Sequence, residues 1–311
     1  MSALLIGSLD EAEYAAWRAH LTRALPAGES LVLADGPHDR DAVEIAFVAN
    51  PPHGTLAHYR NLRFVQSLWA GVDRLLSDPA LPDVPIARLV DPDLTQAMVE
   101  TVVAHVTALH RQAPAYARQQ ARREWKQRAQ PLARECRVGI LGFGELGAAA
   151  ARALAALSFP VSGWSRSPRS VDGVACLSGD QGIEHLLAQA DILVNLLPLT
   201  PETTGFLDRD LFAHLPQGAR LVNVARGAHL VEDDLLAALD AGQLEHAILD
   251  VFHEEPLPSD HPFWTHERIN VFPHVAAYSA PESAARIAAG NVAAFRAGQP
   301  VAGLVDRERG Y

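Results

Sequence analysis

The stretch RVGILGFGELGAAAARALAAL, residues 137–157, constrains the fold more than any other part of the chain. An apolar run is followed at once by Gly142, Gly144 and Gly147 in GxGxxG spacing, and then by an Ala-rich run with Leu146, Ala150, Leu154 and Leu157 on one side. Strand, glycine turn and helix in that order fit a dinucleotide site. The first glycine permits the tight turn, the second lets a pyrophosphate approach the backbone, and the third lets helix and strand pack closely. The helix N-terminus adds N–H groups and partial positive charge for the phosphates. The glycine spacing alone arises often by chance, so the reading rests on its place between strand and helix.

Further strands are expected at Val161–Trp164, Asp191–Leu197, Arg220–Val224, Ala247–Val251 and Ile269–Phe272, with helical segments between them. Such alternation belongs to a parallel sheet covered on both faces. The first hundred residues show a second set of short apolar runs, at Ala3–Ile6, Leu31–Ala34, Ile45–Ala49, Leu62–Leu68 and Ile86–Val90. Tyr14, Trp17, Leu21 and Leu25 give the segment between the first two the stripe of a helix on a sheet. No glycine-rich turn follows any of these strands. From Met98 a long, mostly buried helix is expected, with Met98, Val102, Val106 and Leu109 on one face. The basic stretch Arg111–Arg134 reads as a solvated helix face. At 311 residues the chain is long enough for two domains with a core each.

With 49% hydrophobic residues the chain is not disordered. Its 26 basic and 37 acidic side chains, a formal charge of −11, argue against a nucleic-acid partner. Cys136 and Cys176 are the only cysteines, with no CxxC and no histidine spaced to join them, so neither a disulfide framework nor a metal site is expected. The first residues, MSALLIGSLDEAEY, have too short an apolar run for a signal or a membrane span. No membrane partner is expected, and a cytoplasmic location fits.

About twenty positions beyond the glycines, where an NAD-selective protein carries Asp or Glu, the sequence reads GWSRSPRS. Ser165, Arg166, Ser167 and Arg169 replace a repelling carboxylate with hydroxyls and guanidiniums suited to a 2′-phosphate, which favours NADP while leaving NAD possible. The plain alternative is an exposed basic turn. Past the ends of later strands stand Arg226 in NVARG, Glu255 in DVFHEEPLP and His274 in FPHVAAYS. Ligands of open parallel sheets bind beyond those ends. Hydride transfer to a ketone builds negative charge on its oxygen, so a proton donor belongs there. His274 suits that part, Glu255 beside it would keep the imidazole protonated, and Arg226 could clamp a carboxylate through its planar fork. A small anionic 2-oxo acid fits best. Each residue also has a plain reading: the chain has 14 histidines, an Arg after a strand is commonly a surface residue, and a Glu before Pro is commonly part of a loop.

The series GFGELG, NVARG, DVFHEEPLP with HPFW, and PHVAA resembles the D-isomer-specific 2-hydroxyacid dehydrogenases in order and spacing. WSRS, LLPLTPETTG and the closing VDRERGY look like the glyoxylate/hydroxypyruvate reductase A branch of that family. The resemblance implies an α/β fold of two doubly wound domains, a Rossmann dinucleotide-binding domain (100–278) inserted into a flavodoxin-like substrate domain (1–99 and 279–311), and usually a homodimer. It implies that Arg226 orients the substrate, His274 is the acid/base and Glu255 supports it. Trp69, Ala70 and Gly71 would meet the substrate through the AGVD stretch together with Arg226 and His274. Cofactor contacts are implied at Gly142, Phe143, Gly144, Glu145, Leu146, Gly147, Ser165, Arg166, Ser167, Arg169, Leu197, Pro198, Thr203, Val224, Ala225, Arg226, Asp250, His274 and Ala276. Asp250 is similar to the family's residue near the nicotinamide amide. The chain departs from the branch at Ala49 and Asn50, where an aromatic residue often precedes the Pro-Pro, and at the bulky Trp69, all near the presumed acyl end of the substrate. A larger 2-oxo acid therefore stays open as substrate. So does a regulatory protein on the same scaffold, like the C-terminal-binding corepressors.

Overall fold

In the computed structural model, which describes residues 2–311, the short apolar runs pair side by side into two all-parallel sheets. Each sheet belongs to one of two units, Met1–Leu94 with Tyr278–Tyr311, and Thr95–Ala277.

In the first unit, β1 (Ser2–Gly7), β2 (Ser30–Leu33), β3 (Val43–Ala49), β4 (Phe64–Ser67) and β5 (Ile86–Ala87) lie in the order β2-β1-β3-β4-β5. That is the order of a flavodoxin-like sheet. Ala3, Leu4 and Leu5 are fully buried in succession, which explains an unbroken apolar run where a one-sided sheet would alternate. Helix α1 (Glu11–Ala24) starts at a capping box, in which Asp10 accepts from the Glu13 N–H at 2.8 Å and Glu13 accepts from the Asp10 N–H at 2.9 Å. It buries Trp17 and Leu21. A single turn, α2 (Asp73–Leu76), follows β4.

Helix α3 (Pro92–His110) begins well before Met98. Pro92 suits a first helical position, and the Asp91 carboxylate accepts from the Asp93 N–H at 2.9 Å. As expected, Met98, Val102, Val106 and Leu109 enter the core of the second unit. The basic stretch is solvated, as expected, but only its first part is helical. Helix α4 (Ala113–Ala121) stops early, and beyond it Arg122 pairs with Glu267 at 2.5 Å and Arg128 with Glu245 at 3.0 Å. The charges are folded back onto acidic groups of the same unit, with Trp125 left 99% exposed between them.

The second sheet comprises β6 (Val138–Leu141), β7 (Val161–Ser165), β8 (Ala175–Ser178), β9 (Ile192–Asn195), β10 (Ala219–Asn223), β11 (Leu244–Leu249) and β12 (Ile269–Val271). Helices α5 (Glu145–Ala156), α6 (Gly179–Leu187), α7 (Arg209–His214) and α8 (Glu232–Asp240) connect them. The order β12-β11-β10-β9-β6-β7-β8 winds outward in both directions from β6 and β9, the Rossmann arrangement, and puts the topological switch point beside the glycine turn. Strand β8 was not expected: the short apolar run Val174–Leu177 that forms it lies on a partly exposed edge strand. Leu157 caps α5 and is 48% exposed instead of lying on its apolar side. After Ala277 the chain returns to the first unit as α9 (Pro281–Arg296), whose small face buries Ala284, Ala285, Ala288, Ala289 and Val292. Among the described residues no helix is long and apolar enough to cross a membrane.

Candidate active site

The turn between β6 and α5 has the properties its glycines predict. Gly142 has φ +91°, and a Cβ there would lie 2.4 Å from the Leu196 carbonyl. A Cβ on Gly147 would lie 2.2 Å from the Gly142 oxygen, so close strand–helix packing requires the third glycine. Gly144 differs: nothing lies within 4 Å of the place a Cβ would take, and as N-cap of α5 it has no side chain to cover the first turn. Open space at an uncapped helix N-terminus fits a pyrophosphate. Glu145 is exposed and Leu146 half-buried at the start of that helix. The Phe143 side chain faces away from that open space. Its ring is buried against Gly163 and its N–H donates to the Trp164 carbonyl at 3.0 Å, so it closes the turn onto β7.

At the end of β7 the Ser165 hydroxyl donates to the Ser167 carbonyl at 2.7 Å, which shapes a turn that leaves Arg166, Ser167 and Arg169 exposed. The Glu202 carboxyl is held below its ordinary range, chiefly by a hydrogen bond with Thr200 and in smaller part by the charge of Arg166.

Beyond β9 and β10 lies a buried polar network. Asn195 and Asn223, the last residues of those strands, and His229 are all 0% exposed. The Asn195 amide donates to Asn223 Oδ1 at 3.0 Å and to His229 Nδ1 at 2.9 Å, while Asn195 Oδ1 accepts from the Leu197 N–H at 3.2 Å. Because an amide N–H occupies Nδ1, His229 carries its proton on Nε2, which donates to the Pro198 carbonyl at 3.2 Å. Thr203 donates to the same carbonyl at 2.8 Å. Asn223 in turn donates to the Arg226 carbonyl at 3.2 Å and accepts from the Ala225 N–H at 3.3 Å. The network ties the loop at Leu197 and Pro198 to the backbone carrying Arg226, with Val224 and Ala225 buried between. Sequence reasoning missed it; the signal was an Asn closing two successive apolar strands, ILVN and RLVN.

Arg226 donates from Nη1 to the Ala225 carbonyl at 2.7 Å. Gly227 after it packs so tightly on Phe252 that a Cβ would lie 1.9 Å from the Phe252 carbonyl carbon, which fixes this loop against the one bearing Glu255. Glu255 accepts from the Phe252 N–H at 2.9 Å, and its other oxygen meets His274 Nδ1 at 2.7 Å. His274 is held above the ordinary histidine range, first by that hydrogen bond and against the effect of burial; the Glu255 and Asp250 charges add to the rise and Arg226 opposes it. Burial disfavours the Glu255 anion, but the bonds from His274 and Phe252 outweigh it and leave the carboxyl below its usual range. With Nδ1 committed to Glu255, Nε2 is the nitrogen left to exchange a proton. Asp250 is 1% exposed and accepts from the Val275 and Ala276 N–H groups, each at 2.8 Å; burial pushes its carboxyl up.

In the first unit, Trp69 stands edge-on to the buried Trp17, with ring centres 6.0 Å apart, and its N–H donates to the Ser67 hydroxyl at 3.1 Å. Ala70 and Gly71 follow as a half-buried loop before α2.

Among known proteins, residues 103–276 match the family model described as D-isomer specific 2-hydroxyacid dehydrogenase, NAD binding domain. A relative from Serratia proteamaculans named glyoxylate/hydroxypyruvate reductase A is 44% identical over 301 residues, 95% of this chain and 96% of that protein. A D-isomer specific 2-hydroxyacid dehydrogenase from Xanthobacter autotrophicus, solved with NADPH and MES, is 40% identical with a TM-score of 0.95, covering 100% of this chain and 99% of the other. An NADPH-dependent glyoxylate/hydroxypyruvate reductase from Sinorhizobium meliloti, solved with NADP and sulfate, is 37% identical with a TM-score of 0.93 over 100% and 99% of the two chains. A family model covering more than half of the chain, and likeness along its whole length, make this protein a member of the D-isomer specific 2-hydroxyacid dehydrogenases.

Proposed function

We propose that this chain reduces small 2-oxo acids, glyoxylate to glycolate and hydroxypyruvate to D-glycerate, using NADPH. The observation that carries the reading is the His274–Glu255 pair at 2.7 Å, in a loop just past the end of β12. The choice of substrate and cofactor is supported by the names of the Serratia and Sinorhizobium relatives. The unit Thr95–Ala277, within a few residues of the expected 100–278, serves as the cofactor domain, and Met1–Leu94 with Tyr278–Tyr311, near the expected 1–99 and 279–311, as the substrate domain.

NADPH bound at the glycine turn supplies a hydride to the carbonyl carbon. His274 Nε2 delivers a proton to the carbonyl oxygen as negative charge grows there, and Glu255 keeps the imidazole charged until that moment. Arg226 holds the substrate carboxylate and polarises the carbonyl. Arg166 and Arg169, aided by Ser165 and Ser167, receive the 2′-phosphate. Both ligands are anions and the chain carries a net −11, so these local cations work against the field of the whole molecule. The protein acts as a homodimer, a reading supported by the 99% exposed Trp125 on the cofactor unit and checked by sedimentation, and its place is the cytoplasm.

The test is NADPH oxidation followed at 340 nm with glyoxylate, hydroxypyruvate and larger 2-oxo acids such as phenylpyruvate. Turnover is expected with the first two. A clear preference for the larger acids would reassign the substrate, and no turnover with any would overturn the enzymatic reading.

A further inference from the structure

We infer that Thr101, on α3, is a positioning residue for His274: its hydroxyl and the Asp250 carboxylate grip the backbone at 274–276 from two sides and so set the direction of the imidazole. The inference rests on the reading of His274 as proton donor.

His274 is a non-glycine residue at φ +54°. A side chain in this left-handed region is uncommon and persists where its surroundings over-determine it. Here they do so atom by atom. The His274 N–H donates to the Asp250 carbonyl at 2.9 Å, and the Val275 and Ala276 N–H groups donate to the two Asp250 carboxylate oxygens at 2.8 Å each. These contacts come from the sheet, because Asp250 directly follows β11. On the other side the Thr101 hydroxyl donates to the Ala276 carbonyl at 2.7 Å. This contact comes from a helix, and the helix is itself fixed: Val102 and Val106 are fully buried in the core that also holds Ala276. One turn along α3, the His105 ring lies against Phe272, two residues before His274, with ring centres 4.7 Å apart.

The direction of a side chain follows the backbone torsions that carry it. If the Ala276 carbonyl is released, the 274–276 segment relaxes about one remaining anchor and the imidazole swings away from the Glu255 oxygen. The charged groups acting on His274 are Glu255, Asp250 and Arg226, with His105 beside Asp250. Thr101 is uncharged, so changing it alters His274 through geometry alone.

Thr101→Val keeps the shape and removes the hydroxyl, Thr101→Ser keeps the hydroxyl, and Thr101→Cys offers a weaker donor. Glyoxylate reduction by the Val variant is expected to lose about five- to tenfold in kcat, with KM for glyoxylate and NADPH within about twofold of the parent. Ser should recover the parent kcat to within about twofold, and Cys should fall between Ser and Val. In parallel, NMR titration of 13C-labelled histidine, with the His274 signal identified by its loss in His274→Gln, should show the titration moving down toward the ordinary histidine range in the Val variant and returning in the Ser variant. A Val variant with parental kcat and an unmoved His274 titration would overturn the proposal. Equal losses in Ser and Val, or kcat and KM changing together with the titration unmoved, would overturn it as well. The NMR readout needs no turnover, so a parent inactive on every 2-oxo acid would refute the proposed reaction while still deciding the part played by Thr101. Should the Val variant not fold, the order Thr, Ser, Cys decides.

Discussion

Glu255→Gln keeps the length of the side chain and its ability to accept from the Phe252 N–H, but removes the charge 2.7 Å from His274 Nδ1. A hydrogen bond to a charged group contributes about 1.5–3 kcal/mol when shielded from water. The two side chains here are 52% and 35% exposed, so solvent screening reduces the figure to about 1 kcal/mol. That energy corresponds to about a fivefold change in the ratio of imidazolium to neutral imidazole. Reduction consumes the imidazolium, so the parent kcat/KM falls as pH rises through the elevated His274 value. In the Gln variant the fall begins at lower pH. Above it the rate drops about fivefold relative to the parent, while the low-pH plateau changes little. Steady-state NADPH oxidation across pH measures this directly. The same fractional loss at every pH, or a limb that does not move, would refute the reasoning. Stability follows with a definite sign. His274, raised on folding, adds stability that is complete below the unfolded histidine value and is lost as pH rises through the folded one. Glu255, lowered on folding, adds stability above the ordinary carboxylate value that is lost as pH falls through the folded one. Urea midpoints of parent and variant should therefore differ most between those values and converge at either extreme.

Three further outcomes are expected. Gly144→Ala should leave the urea midpoint unchanged, because its Cβ meets nothing, yet weaken NADPH binding measured by fluorescence; Gly147→Ala, placed 2.2 Å from the Gly142 oxygen, should destabilise by about 1–3 kcal/mol and weaken binding too. Arg166→Glu should reverse the preference for NADPH over NADH in kcat/KM, since it restores the carboxylate that repels a 2′-phosphate; an unchanged ratio would place cofactor selection elsewhere. The Cys136 thiol is buried and pushed up to about 11, so a disulfide reagent at neutral pH should modify the half-buried Cys176 alone in the native protein and both cysteines in urea.

The glycine turn was readable in the sequence because every part of it is local: the apolar run of β6, three glycines and the Ala-rich start of α5 are contiguous. Buried strands such as β1 and β9 were readable for a related reason, since cover on both faces demands unbroken apolar runs. Strand β8 was not: its apolar run, Val174–Leu177, is only four residues long, and an edge strand left partly exposed does not demand a longer one. The start of α3 at Pro92 was missed as its first turn lies before the apolar stripe, and the ion pairs of the exposed Arg122 and Arg128 were not readable because their acidic partners lie more than a hundred residues away in sequence.

The chemistry available was set by residue type alone: Arg226, Glu255 and His274 are the planar cation, the carboxylate and the imidazole that carbonyl reduction needs. The sequence by itself also determined the sheet-and-helix alternation that puts such residues past strand ends. Tertiary structure decided which of them meet. Glu255 and His274 are 19 residues apart, and their contact depends on β11 and β12 being neighbours and on a left-handed backbone at His274 that no local pattern announces. It also decided that Phe143 turns inward to pack on Gly163, and that Asn195, Asn223 and His229 satisfy one another where isolated polar groups would be costly to bury. The physical reason is the range of the interactions. Turn geometry and burial pattern are imposed by adjacent residues, whereas a hydrogen bond across the sheet exists only after distant segments have been brought within about 3 Å.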